Sequence, residues 1–120
     1  MQLIGEIVHG AGRGAAMGFP TLNVEGNFSG LEHGVYAVWV TLKKGRFKGA
    51  MSFGPQPTFK DAQVRVEVFL LDFEGEVYGE QATVEVVKKI RELQTFESVE
   101  ALKLHIQKDV EKVRSVLDLF

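Results

Sequence analysis

The period of the apolar pattern changes once along this chain, and that change constrains the fold more than any other feature. From residue 2 to residue 90 the apolar residues fall in short β-branched and aromatic runs separated by glycine, proline and charged turns. The runs are Gln2–Val8, a short and partly irregular 19–24, Gly34–Leu42, 47–53, 64–73 and 82–90. Beyond them Val99, Leu102, Ile106, Val110, Val113 and Leu117 recur at intervals of 3, 4, 4, 3 and 4, which is one face of an amphipathic helix. Ser98 stands where an N-cap belongs, and Glu100 in the first turn suits the positive end of the helix dipole. Parallel neighbours need long crossovers, and no helix separates the strands, so a parallel sheet is excluded. An antiparallel barrel or sandwich closed by one C-terminal helix remains.

At 120 residues, without an internal repeat or a linker-like stretch, the chain is expected to form one domain over 1–120. Hydrophobic residues at 45% and charged residues at 25% are ordinary for a folded globular protein. The net charge of −2 gives no field that would gather nucleic acid or an anionic membrane, so neither is an expected partner, and a phosphate group has to be captured locally. With no cysteine, thiolate metal sites are excluded. The cysteine count, together with an N-terminus that lacks a basic region and long apolar core, is read as cytoplasmic.

Three features could carry chemistry. The stretch from His9 to Asn23, HGAGRGAAMGFPTLN, holds Gly10, Gly12, Gly14 and Gly18. Glycines let successive backbone N–H groups converge on an anion. No Gly-Lys-Ser/Thr closes the stretch and no helix follows, so it is neither a P-loop nor a Rossmann turn. A phosphate cradle and a plain glycine-rich turn both fit the spacing. Thr21 and Asn23 flank Leu22 and would project to one side of an extended chain, where two neutral oxygens suit Mg²⁺ beside phosphate and water. Side-chain bonds to the neighbouring loop would use the same oxygens.

The third feature is Glu67, on the strand VRVEVFLLDF. Alternation puts it on one face with Arg65, Phe69, Leu71 and Phe73, opposite Val64, Val66, Val68 and Leu70. Desolvation by apolar neighbours raises a carboxyl pKa toward the range of a general base, whereas a pair with Arg65 at a strand edge would have no such role. His9, His33 and His105 show no metal-ligand spacing, and Asp72, Glu74 and Glu76 read as a solvated hairpin turn.

Taken in order, the motifs resemble the ATP-dependent riboflavin kinase family, which also forms the C-terminal module of bacterial bifunctional FAD synthetases. Gly5-Glu6-Ile7-Val8-His9-Gly10 followed by Gly18-Phe19-Pro20-Thr21-Leu22-Asn23 is similar to that family's G-x-V-x-x-G and G-F-P-T-x-N. Gly34-Val35-Tyr36-Ala37, Gly54 with Pro57-Thr58-Phe59, the stretch EVFLLDFEGEVYG from Glu67 to Gly79, Arg91, Phe96, Leu102, Ile106 and Asp109 continue the match. Phe69 stands where the family often has histidine, and Ser52-Phe53-Gly54-Pro55-Gln56 replaces its usual Asn-Ile-Gly-x-Arg.

The resemblance implies a mainly β fold, a six-stranded antiparallel Greek-key barrel with a C-terminal α-helix. It also implies an enzyme that moves the γ-phosphoryl of ATP to the 5′-hydroxyl of riboflavin, giving FMN and ADP with Mg²⁺ as cofactor. By the same resemblance Gly10, Gly12, Gly14, Gly18, Pro20, Thr21 and Asn23 would serve the nucleotide phosphates, and Thr21 and Asn23 also the metal. Glu67 would take the hydroxyl proton, and Arg91 and Phe96 would border the flavin. Because Gln2 falls in the first strand, FMN adenylylation is not expected from this chain, which fits either a free-standing protein or a piece of a larger bifunctional FAD synthetase. A catalytically inactive flavin- or nucleotide-binding barrel is the alternative of a different class.

Overall fold

The computed structural model describes residues 1–9 and 18–119. Six strands close into an antiparallel barrel: β1 Gln2–Val8, β2 Leu22–Gly26, β3 Gly34–Leu42, β4 Gly45–Gln56, β5 Asp61–Leu70 and β6 Gln81–Arg91. The helix α1, Val99–Leu117, follows. Around the barrel the order is β1-β2-β5-β4-β3-β6. Strands β3, β4 and β5 are sequential neighbours, and β2 lies beside β5, which is the Greek-key arrangement. Closure leaves no free sheet edge to pair with another chain.

Alternation along the strands supplies the interior. Ile7, Val38, Val40, Met51, Val68 and Val84 are each at most 1% exposed and form the barrel core with Val66 and Leu70. A second apolar cluster lies outside the barrel, where Val113, Val116 and Leu117 of α1 cover Ala37, Trp39, Ala50, Phe69 and Leu71. The helix begins as the pattern predicts: Ser98 Oγ accepts the Ala101 N–H at 3.1 Å, and Glu100 occupies the first turn. Its apolar seam divides, however. The C-terminal residues Val113 and Leu117 are buried, while Leu102 and Ile106 stay half-exposed beside a cavity.

Several boundaries differ from the sequence expectation. Strand β2 starts at Leu22 rather than residue 19 and runs on to Gly26, because Pro20 has no N–H to give a ladder. Strand β4 starts at Gly45 and passes through Gly54 and Pro55 to Gln56, with an irregularity between Gly54 and Gln56, and the break comes at the 3₁₀ turn Pro57–Phe59. Strand β5 is displaced toward the N-terminus and stops at Leu70. Consequently Phe73 does not share the face of Glu67. It packs against the barrel-core cluster, with its ring edge-on to Phe47 at 5.0 Å.

Residues 71–80 are not a hairpin either. Strands β5 and β6 are not neighbours, so the segment crosses the barrel end, buries Val77, and reaches β1 through Gly79 N–H to Ile7 O at 2.8 Å. Asp72, expected in a solvated turn, takes the left-handed conformation (φ 57°) and accepts two bonds from the Arg114 guanidinium at 2.8 and 2.9 Å. Those bonds hold its carboxyl below the usual carboxylate range. The fold has a second tie between barrel and helix, from Arg91 to Asp109. Nε of Arg91 donates to both carboxylate oxygens, at 2.9 and 3.1 Å, and Nη2 donates to Oδ2 at 2.8 Å.

The side chain of Asp109 is 7% exposed and that of Arg91 17%, so removing one partner strands a desolvated charge. Asp109→Ala is expected to lower unfolding free energy by about 3–5 kcal/mol, and replacing both partners with apolar residues to cost less than that. Urea denaturation of the single and double variants checks this.

Candidate functional site

A cavity of about 100 Å³ lies between the outer face of the barrel and the first half of α1. Its floor comes from β4 and β5, its roof from Leu102 and Ile106, and one side from Leu93, Gln94 and Phe96 in the segment joining β6 to α1. Three contacts hold that segment down. Phe96 N–H donates to Thr58 Oγ1 at 3.1 Å, Arg91 Nη1 donates to Glu92 O at 3.1 Å, and Lys89 Nζ bonds Glu92 Oε1 at 2.6 Å and Glu32 Oε1 at 3.2 Å. The bond to Glu92, with help from Glu32, raises the Lys89 pKa. Gly54, at φ +132°, permits the close approach: a Cβ there would sit 2.6 Å from Leu93 Cδ1 and 3.0 Å from the His33 ring.

The register explains which polar groups reach this space. Asn23 of β2 lies directly opposite Glu67 of β5, and Leu22 opposite Val68. Directly opposed residues share a sheet face. Val68 is fully buried inside the barrel, so Asn23 and Glu67 belong to the outer face. Thr21 and Glu67 both border the cavity. Glu67 is half-buried, with Phe69 beside it on the same wall. Asn23 is 8% exposed and borders a neighbouring depression with His9 and Arg65. Thr21 also borders an open depression shared with Gly18, Pro20 and residues 72–78.

Of the glycines singled out by sequence, Gly18 is exposed in the left-handed region at φ +87°. Gly10, Gly12 and Gly14 lie outside the described residues. Arg91 and Phe96 both line the cavity, with the Arg91 guanidinium 5.5 Å from the Phe96 ring centroid. Most of the Arg91 fork is already committed, to Asp109 and to the Glu92 carbonyl. Asp109 is the residue whose role the sequence reasoning left unassigned. The signal was present: Asp109 lies three residues beyond Ile106 on the apolar side of the helix, where a carboxylate needs a cation. A second missed feature is the stacking of His9 on Tyr78, with centroids 3.7 Å apart and planes at 21°.

The donor set fits Mg²⁺, which keeps several waters and takes one or two protein oxygens beside phosphate. Thr21 and Asn23 offer neutral oxygens near one carboxylate, and the described residues contain no cluster of three His, Asp or Glu that could hold an ion unaided. The cavity surface is largely apolar, with polar groups such as Thr21, Glu67 and Arg91 among its lining, the make-up of a small-molecule site. No helix among the described residues is long and apolar enough to cross a membrane.

Comparison with known proteins agrees with this architecture. The chain is 36% identical over 118 residues to the RNA-binding riboflavin kinase RibR of Bacillus subtilis, covering 98% of this chain and 51% of that protein. It is 38% identical over 116 residues to the bifunctional riboflavin kinase/FMN adenylyltransferase of Haemophilus influenzae, covering 95% of this chain and 38% of that protein. The chain thus spans about half, or less, of these curated relatives. Among solved structures, riboflavin kinase from Trypanosoma brucei superposes with a TM-score of 0.70 at 26% identity, covering 98% of this chain and 79% of that one. A protein titled macrolide-efflux protein from Streptococcus pneumoniae superposes with a TM-score of 0.80 at 32% identity, covering 94% and 38%. The flavokinase profile, described as riboflavin kinase, matches residues 1–117. A family match over nearly the whole chain, on a closed six-stranded barrel followed by one helix, leads to one assignment: this chain belongs to the riboflavin kinase family.

Proposed function

We propose that the chain phosphorylates riboflavin, transferring the γ-phosphoryl group of ATP to the ribityl 5′-hydroxyl to give FMN and ADP. The observation that carries this reading is the convergence of Thr21 and Glu67 on one largely apolar cavity, with Asn23 opposite Glu67 in the ladder. The isoalloxazine ring is placed against Phe96, Leu102 and Ile106, whose exposed apolar surface the fold leaves uncovered. The ribityl chain then points toward Glu67 and Thr21. As the bond from the 5′-oxygen to the γ-phosphorus forms and the β–γ bridging bond breaks, Glu67 accepts the hydroxyl proton and ADP leaves.

The hydroxyl of Thr21 and the amide oxygen of Asn23 are assigned to hold Mg²⁺, which neutralises phosphate charge when bound. Gly18 and Pro20, with Gly10, Gly12 and Gly14 beyond the described residues, are assigned to the phosphates. Arg91 is assigned a supporting part, because its ion pair with Asp109 fixes the wall on which Phe96 sits. A cytoplasmic location accords with the absence of cysteine from the chain.

The direct test is product analysis with riboflavin, Mg²⁺ and either ATP, CTP or no nucleotide. FMN is expected only with a nucleotide, and its absence with every donor would reduce the chain to a binding barrel. Glu67→Gln is expected to lower kcat about 100-fold or more while riboflavin still binds, as read by steady-state kinetics and flavin fluorescence. Thr21→Ala is expected to raise the Mg²⁺-ATP requirement about tenfold, the scale of one lost polar contact to a charged group, with little change in riboflavin affinity. Equal activity at limiting Mg²⁺ would count against the assignment of Thr21.

A further inference from the structure

Phe69 follows Glu67 by two positions on β5 and so leaves the same outer face. Phe19 belongs to the stretch ahead of β2, where pairing with the barrel has not yet begun. The two rings nevertheless meet edge to face, with centroids 5.4 Å apart and planes at 80°. In this arrangement the positive edge of one ring lies over the negative face of the other. Residues 18 to 21 are therefore held in sequence by a left-handed glycine, an anchored aromatic ring, a proline of fixed φ and then Thr21.

Phe69 and Thr21 are also the pair that borders both the helix-side cavity and the open depression along residues 72–78. The wall where acceptor and donor spaces meet is thus built from the same two side chains. A phenylalanine at 69, where the resembled pattern often carries histidine, presents a ring to Phe19.

We propose that Phe19 and Phe69 form a positioning pair, pinning residues 19–21 onto β5 so that the Thr21 hydroxyl stands on the wall it shares with Glu67. The inference rests on the reading of Thr21 as a contact for the Mg-nucleotide. Without the ring contact, the stretch loses a tie to the barrel. Ordering it then falls to ligand binding, which lowers affinity for the ligand that Thr21 touches. The flavin ring, placed against Phe96, Leu102 and Ile106, carries less of that cost, although Phe19 and Phe69 line the same cavity.

The experiment compares wild type with Phe19→Leu, Phe69→Leu, the double variant and Phe69→Tyr. Calorimetry reads Mg-ADP affinity, fluorescence quenching reads riboflavin affinity, and thermal melting reads the fold. Each leucine variant is expected to bind Mg-ADP about fivefold more weakly, the scale of one aromatic pair. The double variant should be no weaker than either single one, because both lose the same contact. Phe69→Tyr, which keeps the ring, should stay near wild type. Unchanged Mg-ADP affinity, additive losses, or an equal fall in riboflavin affinity would overturn the proposal. Should Phe69→Leu fail to fold, Phe19→Leu, which lies outside the barrel ladders, decides by the ratio of the two affinities. A wild type that shows this Mg-ADP pattern but forms no FMN removes the kinase reading and leaves the pair standing. FMN formation with unaltered Mg-ADP binding in the variants does the reverse.

Discussion

Barrel closure divides the side chains of every strand into two populations, and the rest of the structure follows from that division. Inward positions must fill the interior with apolar volume, as Ile7, Val38, Val68 and Val84 do. Any polar group meant for a ligand must therefore come from outward positions or from the connections. Glu67 is the outward neighbour of two core valines, Val66 and Val68. The same strand that builds the core also presents the carboxylate. A shift of one residue in the β2–β5 register would set Glu67 opposite Leu22 or Val24 and send Glu67 and Asn23 to opposite faces, so the demand of the core for Val68 and Leu22 indirectly holds the two together.

An outward face would ordinarily be solvated, and α1 changes that. Its C-terminal half docks fully on Ala37 and Leu71, while its N-terminal half stands off the sheet. Arg91 and Asp109 sit at the transition. A bidentate, desolvated pair resists both closer approach and separation, because either would spoil three short bonds. Leu102 and Ile106 are left with apolar surface and no protein partner to cover it fully. A cavity persists there by geometry, and its chemistry suits a flat apolar ligand.

Much of this is legible in the sequence. The helix limits and cap, the six strands and their antiparallel class, and the face that Glu67 shares with Phe69 all follow from local periodicity and capping chemistry, whereas the pairing of Asn23 with Glu67 does not. The errors share a cause. Residues 74–76 look like a hairpin turn because turn chemistry is local, but which strands pair afterward depends on the whole barrel. Gly54-Pro55 looks like a strand break, yet β4 continues through it because an irregularity lets the ladder skip the proline. Alternation puts Phe73 with Glu67, but alternation holds only while the strand lasts, and β5 ends at Leu70.

Sequence alone determined the secondary elements, the residue types able to hold phosphate, metal and a proton, and the family pattern that orders them. These properties are set by a residue and its near neighbours, through backbone sterics and side-chain chemistry. Tertiary structure alone decided that Arg91 is spent on Asp109, that Phe19 meets Phe69, and that half the apolar seam of α1 lines a cavity instead of a core. Each joins groups distant in the chain, whose meeting depends on how a closed sheet and a docked helix fill space together.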